Sequence, residues 1–233
     1  MVDFLILLIL GLAVLAGYYR GVVYSAISLG VTVLSFFLAL LCIPMLTGSF
    51  KNRETIYPMM VYYFEGYEYI NETSVEMVHY QASQVTEEEI DLIVANADMP
   101  IPLDRAIKNN VLNLEYESMS IYTLGDYFNQ TVVDVVINIL SLLILFAIIR
   151  LLLGFALHLI DYSVGGLPVL QRFDAPISLG VGFLQGTVLV FILFMLVPVI
   201  LSVVPQLAEY VEESALGRFF YHANPFLRMI PSS

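Results

Sequence analysis

The hydrophobic positions of this chain are gathered into long runs without a charged side chain. The runs cover residues 4–19, 21–50, 135–149 and 175–208. Apolar segments of roughly 18 or more residues are typical of membrane-spanning helices, because a bilayer core about 30 Å thick takes ~20 helical residues. The pattern predicts an all-α integral membrane protein with four transmembrane helices, at about 2–18, 22–43, 131–152 and 177–197.

Prolines set the expected ends of two of these helices. Helix two is expected to stop at Pro44, because proline lacks an N–H and clashes with the preceding turn. Asp174 is expected to cap the start of helix four, and Pro176 is expected to lie in its first turn. Pro198 and Pro205 are expected to kink or end it.

The segment between helices two and three differs in character from the rest of the chain. Residues 46–130 hold 14 Asp and Glu against four Lys and Arg, which is most of the net charge of −12. Thr86 and Glu89 form a capping-box pattern, which predicts a helix to about Ala97. A second helix is predicted to start at Asp104, so the segment is interpreted as an acidic, mostly helical insertion.

The chain therefore divides into four parts. Residues 1–46 hold helices one and two, 47–130 the acidic insertion, 131–205 helices three and four, and 206–233 a C-terminal tail. Apolar residues of the tail recur at roughly helical spacing, with acids on the other side. This predicts an amphipathic helix lying on the membrane surface or against the insertion.

Composition agrees with a membrane protein and excludes several classes of site. Hydrophobic residues make up 59% of the chain and charged residues 13%, where a soluble domain carries about 25% charged residues. Cys42 is the single cysteine, so neither an internal disulfide nor a cysteine-based metal site can form. The acidic balance disfavours binding to nucleic acid. No cofactor, metal site or catalytic residue is predicted.

Hydroxyl residues form a seam on helix two. Their spacing of three, four and three places them on one face, which favours close helix packing and hydrogen bonds to a neighbour. Bonding to carbonyls of their own helix is compatible with the same seam. The seam consists of Ser25, Ser28, Thr32 and Ser35.

The glycines of "GVGFLQG" approach a dinucleotide-binding pattern, but that pattern needs a preceding strand and a βαβ unit, and both are missing here. Ser178, Gly182 and Gly186 instead recur every fourth residue. Such a ridge of small residues lets another helix approach to backbone contact. We expect its partner to be the seam of helix two, with Gln185 bonding across the interface.

Polar residues inside the spans are the first candidates for function. Asp134 and Asn138 share one face of helix three, where they could form an ion or proton site. The favoured interpretation puts Asp134 at the water interface, near the helix start, and has Asn138 bonded to a neighbouring helix. Gln185 completes the set of possible intramembrane polar residues.

Three arginines lie near the ends of the spans: Arg20, Arg150 and Arg172. Each is interpreted as an interface anchor whose guanidinium reaches the headgroups. We predict that the short loops are cytoplasmic and that both termini and the acidic insertion are extracytoplasmic. Basic residues are more numerous on the latter side, but loops above about 60 residues cross largely regardless of charge.

Several motifs, in this order, resemble the colicin V production protein family of bacterial membrane proteins. They are Asp3, the "GYYRG" turn with Arg20 and Gly21, "LPVL" at 167–170, the small-residue ridge, "ESALG" at 213–217, and Pro231. The resemblance covers most of the chain, except the acidic insertion. It implies a multi-pass protein of the bacterial cytoplasmic membrane, linked to colicin V production or export and to envelope homeostasis.

Two functions are compatible with the sequence. The first is a non-enzymatic scaffold that assists bacteriocin or peptide export, with the bilayer, other membrane proteins or a second copy as partners. The second is an oligomeric small channel or transporter, with Asn138 and Gln185 facing a pore. Four helices are few for a monomeric transporter, so this second function needs self-association.

Overall fold

The computed structural model describes residues 1–51, 56–64, 69, 77–97, 99–159 and 168–232, with the backbone alone at 56, 63, 168–172 and 205. No β-strand occurs among them, apart from a bridge between Gln81 and Thr123. Short 3₁₀ turns link several of the helices. The helices are α1 Val2–Arg20, α2 Val22–Lys51, α3 Ile56–Tyr63, α4 Glu87–Asn96, α5 Leu103–Leu112, α6 Leu124–His158, α7 Pro168–Phe194, α8 Leu196–Leu201, α9 Ala208–Glu212 and α10 Ala215–His222.

Among the described residues, four segments are long and apolar enough to cross a membrane, which confirms the predicted fold class. They are Val2–Arg20, Val22–Lys51, Leu124–His158 and Phe173–Leu201. The 19 residues of α1 are close to the ~20 that a bilayer core requires. α2 and α6, with 30 and 35 residues, exceed that length.

Helix α2 was expected to stop at Pro44, but it continues to Lys51 and has the proline inside it. One carbonyl of the preceding turn loses its partner there. Thr47 Oγ1 donates to the carbonyl of Pro44 itself at 3.3 Å, which adds a side-chain bond to the turn that follows. Proline is tolerated inside membrane helices where neighbouring groups and local adjustments compensate for the lost backbone bond.

The expected start of helix four was wrong. α7 begins at Pro168, and Pro176 lies within it. Asp174 does not cap this helix, because its Oδ1 accepts a hydrogen bond from the Val22 N–H at the start of α2, at 2.8 Å. The helical run is interrupted at Met195, before Pro198, and α8 follows.

The chain forms two compact units. Unit 1 comprises Met1–Ile43, Leu142–Met195 and Ala208–Asn224. Unit 2 comprises Pro44–Ser141, Leu196–Leu207 and Pro225–Ser233. In unit 1, α1 packs along α7, and Ile6, Val190 and Phe220 form a buried cluster.

The C-terminal segment of unit 1, Ala208–Asn224, is hydrogen-bonded to the first turn of α1. Ser214 caps α10 by accepting from the Gly217 N–H at 2.9 Å. Asp3 Oδ1 accepts from Ser214 Oγ at 2.7 Å and from the Leu216 N–H at 2.8 Å. Asp3 and "ESALG", far apart in sequence, therefore form one contact.

In unit 2, α4 packs against α5, and the predicted capping box is present. Glu89 N–H donates to Thr86 Oγ1, and Thr86 N–H donates to Glu89 Oε2. The bonds from Thr86 hold the pKa of Glu89 below its usual value. Lys108 on α5 pairs with Asp91 and Glu87 on α4, and these hydrogen bonds raise its pKa.

Candidate functional site

Glycines bring α1 and α7 into backbone contact in unit 1. A Cβ added at Gly182 would lie 2.7 Å from the Ala13 carbonyl oxygen and 3.1 Å from Val14 Cα. One added at Gly17 would lie 2.5 Å from the Ser178 carbonyl oxygen. The ridge of α7 therefore packs on α1. The prediction that the ridge packs on the seam of α2 was wrong. The ridge contacts Ala13 and Gly17 of α1, which are four residues apart and form a flat face of that helix.

All four seam hydroxyls of α2 are buried. Thr32 and Ser35 donate to the carbonyls of Ser28 and Val31, four residues earlier in their own helix. Ser25 donates instead to the Gly17 carbonyl of α1 at 3.2 Å. The seam thus combines the two expected uses of such hydroxyls.

Arg150 on α6 turns its guanidinium towards this seam. Its Nε donates to Thr32 Oγ1 at 3.0 Å and its Nη2 to Ser28 Oγ at 2.9 Å. The expectation that Arg150 extends to the headgroups is therefore corrected. A guanidinium in apolar surroundings is stabilised by acceptors, and α2 provides two within reach.

Gln185 of α7 joins the same cluster. Its Nε2 donates to Ser28 Oγ at 3.1 Å, so the Ser28 oxygen accepts from both Gln185 and Arg150. Three helices of unit 1 thus meet at one hydroxyl. We call Ser28, Thr32, Arg150 and Gln185 the arginine cluster.

The other two predicted anchors differ from Arg150. Arg20 is exposed, and its guanidinium carbon lies 5.4 Å from the centre of the Tyr24 ring. Such a cation–π contact keeps the charge near the surface. Arg172 falls on α7, but its side chain lies outside those that the structure describes.

Unit 2 contains an ion pair whose carboxylate is buried. Lys51 Nζ lies 3.0 Å from Asp134 Oδ1, and the Asp134 side chain is 0% exposed. Gln130 Nε2 donates to the same oxygen at 3.1 Å, and to the Tyr57 hydroxyl at 2.6 Å. The expectation that Asp134 lies at the water interface is wrong, because side chains of the insertion and the end of α2 cover it.

The buried face of α6 continues from Asp134 through Asn138 to Ser141. Asn138 Nδ2 donates to the Pro231 carbonyl of the tail at 3.2 Å, so its partner is not another spanning helix. Asp134 Oδ2 and Ser141 Oγ make no hydrogen bond among the described residues, although the Tyr116 hydroxyl is near enough to interact with the carboxylate.

A second polar group lies beside this face. Asn110 Nδ2 has three acceptors within hydrogen-bonding distance for its two protons: the Tyr116 hydroxyl at 2.8 Å, Thr131 Oγ1 at 3.0 Å and the Ser232 carbonyl at 2.8 Å. Burial, and then the negative charge of Asp134, raises the pKa of Tyr116. Residues 110 and 116 of the insertion and 231 and 232 of the tail thus meet the first half of α6.

Sequence reasoning missed the partners of Asp134 rather than Asp134 itself. Gln130 lies four residues before it, a spacing that could have suggested contact on one helix face. Lys51 and Asn110 carry no comparable signal, because their positions depend on how the insertion folds. In the part of the chain that the structure describes, no cluster of His, Cys, Asp and Glu could hold a metal ion.

Comparison with protein families gives a match over the first part of the chain. The model of the colicin V production protein family matches residues 2–74, which comprise α1, α2 and the beginning of the insertion. This confirms the predicted family resemblance over that part of the chain. No curated protein and no solved structure matches the chain.

Proposed function

We propose that this chain, whose residues 2–74 match the colicin V production protein family, is a non-enzymatic membrane scaffold for bacteriocin export or envelope homeostasis. The family match and the four spans indicate a multi-pass membrane protein in bacteriocin production. The scaffold role goes one step further. It means that the chain holds other proteins in place and does not itself carry a substrate.

The observation that carries this proposal is the internal use of the polar groups in the spans. Gln185 donates to Ser28 Oγ, and Asn138 donates to the Pro231 carbonyl. A pore would need these amides to face water. Bonded within their own units, they contribute to helix packing, as polar side chains of membrane helices commonly do.

Partner binding is proposed for surfaces that the units leave open. Leucines of α1 are about half exposed: Leu5, Leu8, Leu12 and Leu15. They can face lipid or a helix of another membrane protein. Self-association through Gly182 and Gly186 is not part of the proposal, because α1 occupies that ridge. Gly11, Gly30 and Gly180, with no atom near their added Cβ, remain open to a second copy.

We place the chain in the bacterial cytoplasmic membrane, with both termini and the insertion outside the cytoplasm. The bonds of Asp3 to Ser214 and Leu216 support an even number of spans, because they bring the start of α1 and the tail to the same side. A reporter that is active only in the cytoplasm, fused after Ser233, should stay inactive. Activity of this fusion would reverse the orientation.

The test of the scaffold is in-cell crosslinking combined with a secretion assay. A photo-crosslinking amino acid replaces Leu92 of α4, which is 64% exposed, in cells that depend on the chain for bacteriocin release. We expect a discrete crosslinked partner that is also required for release. The matched control is Ile90, two residues away and fully buried, which should capture nothing.

Two outcomes would contradict the scaffold. One is normal release from cells that lack the chain. The other is release that depends on Asp134 but gives no crosslink from Leu92 or from the exposed leucines of α1. That second result would favour a function of Asp134 in an ion or proton site. Normal release from cells that carry D134N would exclude that function.

A further inference from the structure

We propose that unit 1 binds an anionic phospholipid, with its phosphate on Arg20 and an acyl chain in a cleft between α1 and α7. The inference rests on the fold of unit 1 and is independent of the role in export. It concerns the end of unit 1 at which α1 passes into α2.

The cleft has the size and lining that an acyl chain requires. Its volume is about 300 Å³, and Ile9, Leu12 and Ala16 of α1 face Leu189 of α7 across it. This volume lies at the lower end of the range of small-molecule sites. The apolar part of the cleft offers water no polar partners, so water is disfavoured there. A hydrocarbon chain is the occupant that the bilayer supplies.

The lining of the cleft also includes polar side chains. Arg20, Ser25 and Gln185 contribute to it. Arg20 makes no ion pair among the described residues, and its contact with Tyr24 leaves the edge of the guanidinium free to donate hydrogen bonds. Arginine pairs with phosphate through two parallel N–H···O bonds. Basic pockets between membrane helices bind anionic headgroups for the same reason.

A second positive charge strengthens the preference for an anion. Arg20 and Arg150 carry like charges, which repel each other, and neither makes an ion pair with an acidic side chain in the described part of the chain. Asp174, beside Gly21, accepts a hydrogen bond from the neutral Val22 N–H and makes no ion pair with Arg20 among the described residues, so its own negative charge remains there and acts against the anion. A phosphate at Arg20 would offset the repulsion between the two guanidinium groups. A zwitterionic headgroup would offset less of it.

The test is native mass spectrometry of the full chain in mild detergent, with phosphatidylglycerol or phosphatidylcholine added. We expect the wild type to retain phosphatidylglycerol in preference to phosphatidylcholine. Arg20→Gln should weaken phosphatidylglycerol binding at least tenfold and phosphatidylcholine binding by less, so that the preference between the two lipids shrinks. Arg218→Gln is the matched control, because it removes the same charge from an exposed site on α10 of the same unit.

The acyl chain is tested separately. Ala16→Phe fills the cleft and should abolish phosphatidylglycerol binding, whereas Leu15→Phe, on the exposed face of α1, should not. Circular dichroism checks that each variant keeps its helices. Equal retention of the two lipids by the wild type would overturn the proposal. Equal binding of phosphatidylglycerol by Arg20→Gln and Arg218→Gln would overturn it as well. Displacement of the lipid by glycerol 3-phosphate, with normal binding to Ala16→Phe, would also overturn it.

Discussion

The α1–α7 contact makes a quantitative prediction for a single methyl group. Gly182→Ala would put a Cβ 2.7 Å from the Ala13 carbonyl oxygen, 3.1 Å from Val14 Cα and 3.2 Å from Gly17 Cα. Carbon atoms prefer separations of about 3.5–4.0 Å. All three atoms belong to the backbone, so no side chain can rotate away, and the helices must move apart by several tenths of an ångström.

The matched control is Gly180→Ala on the same helix, because no atom lies within 4 Å of its added Cβ. Both variants gain the helix propensity of alanine, about 1 kcal/mol at most. Only Gly182→Ala also carries the cost of overpacking, about 1–3 kcal/mol. We therefore expect it to be less stable than Gly180→Ala by about 2 kcal/mol, or roughly 30-fold in the unfolding constant.

The single cysteine provides the assay. Cys42 is partly buried on α2 of unit 1, so its labelling rate in mixed micelles reports the opening of that unit as SDS is added. The labelling midpoint of Gly182→Ala should fall at a lower SDS fraction than that of Gly180→Ala. Coincident midpoints would refute the backbone contact between α1 and α7.

Three further predictions concern unit 2. Asp134→Asn removes the charged partner of Lys51 and should lower the free energy of unfolding of the purified chain by about 2–3 kcal/mol. The loss is smaller than for a fully buried pair because the Lys51 side chain is 31% exposed. An unchanged midpoint in denaturant would contradict the ion pair. Thr86→Ala should lose about 1 kcal/mol through the cap of α4, seen as faster amide exchange in its first turn, while exchange in α5 stays unchanged. The raised pKa of Tyr116 means that folding favours its neutral hydroxyl, so this contribution to stability is present below the ordinary tyrosine pKa of about 10 and is lost as pH rises above it. At pH 11 the phenolate absorbance of folded wild type and Tyr116→Phe should be equal, and a deficit in the variant would show that Tyr116 ionises normally.

The spans could be predicted from sequence because hydrophobicity alone determines them. A long run without charged residues forms a helix in lipid whatever helices pack around it. The pattern therefore predicted the four spans although it does not show which helices are neighbours. The capping box was equally local: Thr86 and Glu89 need only their own turn. The insertion, by contrast, depends on contacts over long sequence distances.

The predictions that were wrong concerned neighbours. Gly182 has the spacing of a packing ridge, but the spacing does not say which helix lies on it. Asp174 has the position of a cap for its own helix, yet it caps α2, because the fold brings the α1–α2 turn beside it. Asp134 appeared near a helix end, but α6 begins ten residues earlier, at Leu124, and the insertion and the end of α2 cover it. Pairings of this kind follow from tertiary structure.

The central claim is that polar groups in the spans hold the chain's own helices together and do not line a pore. Flux of ions and small solutes from proteoliposomes tests it most directly, with purified wild type, Gln185→Leu and Asn138→Leu compared with protein-free vesicles. We predict that leakage from all three equals that from empty vesicles. Leakage by the wild type that either leucine variant suppresses would contradict the claim.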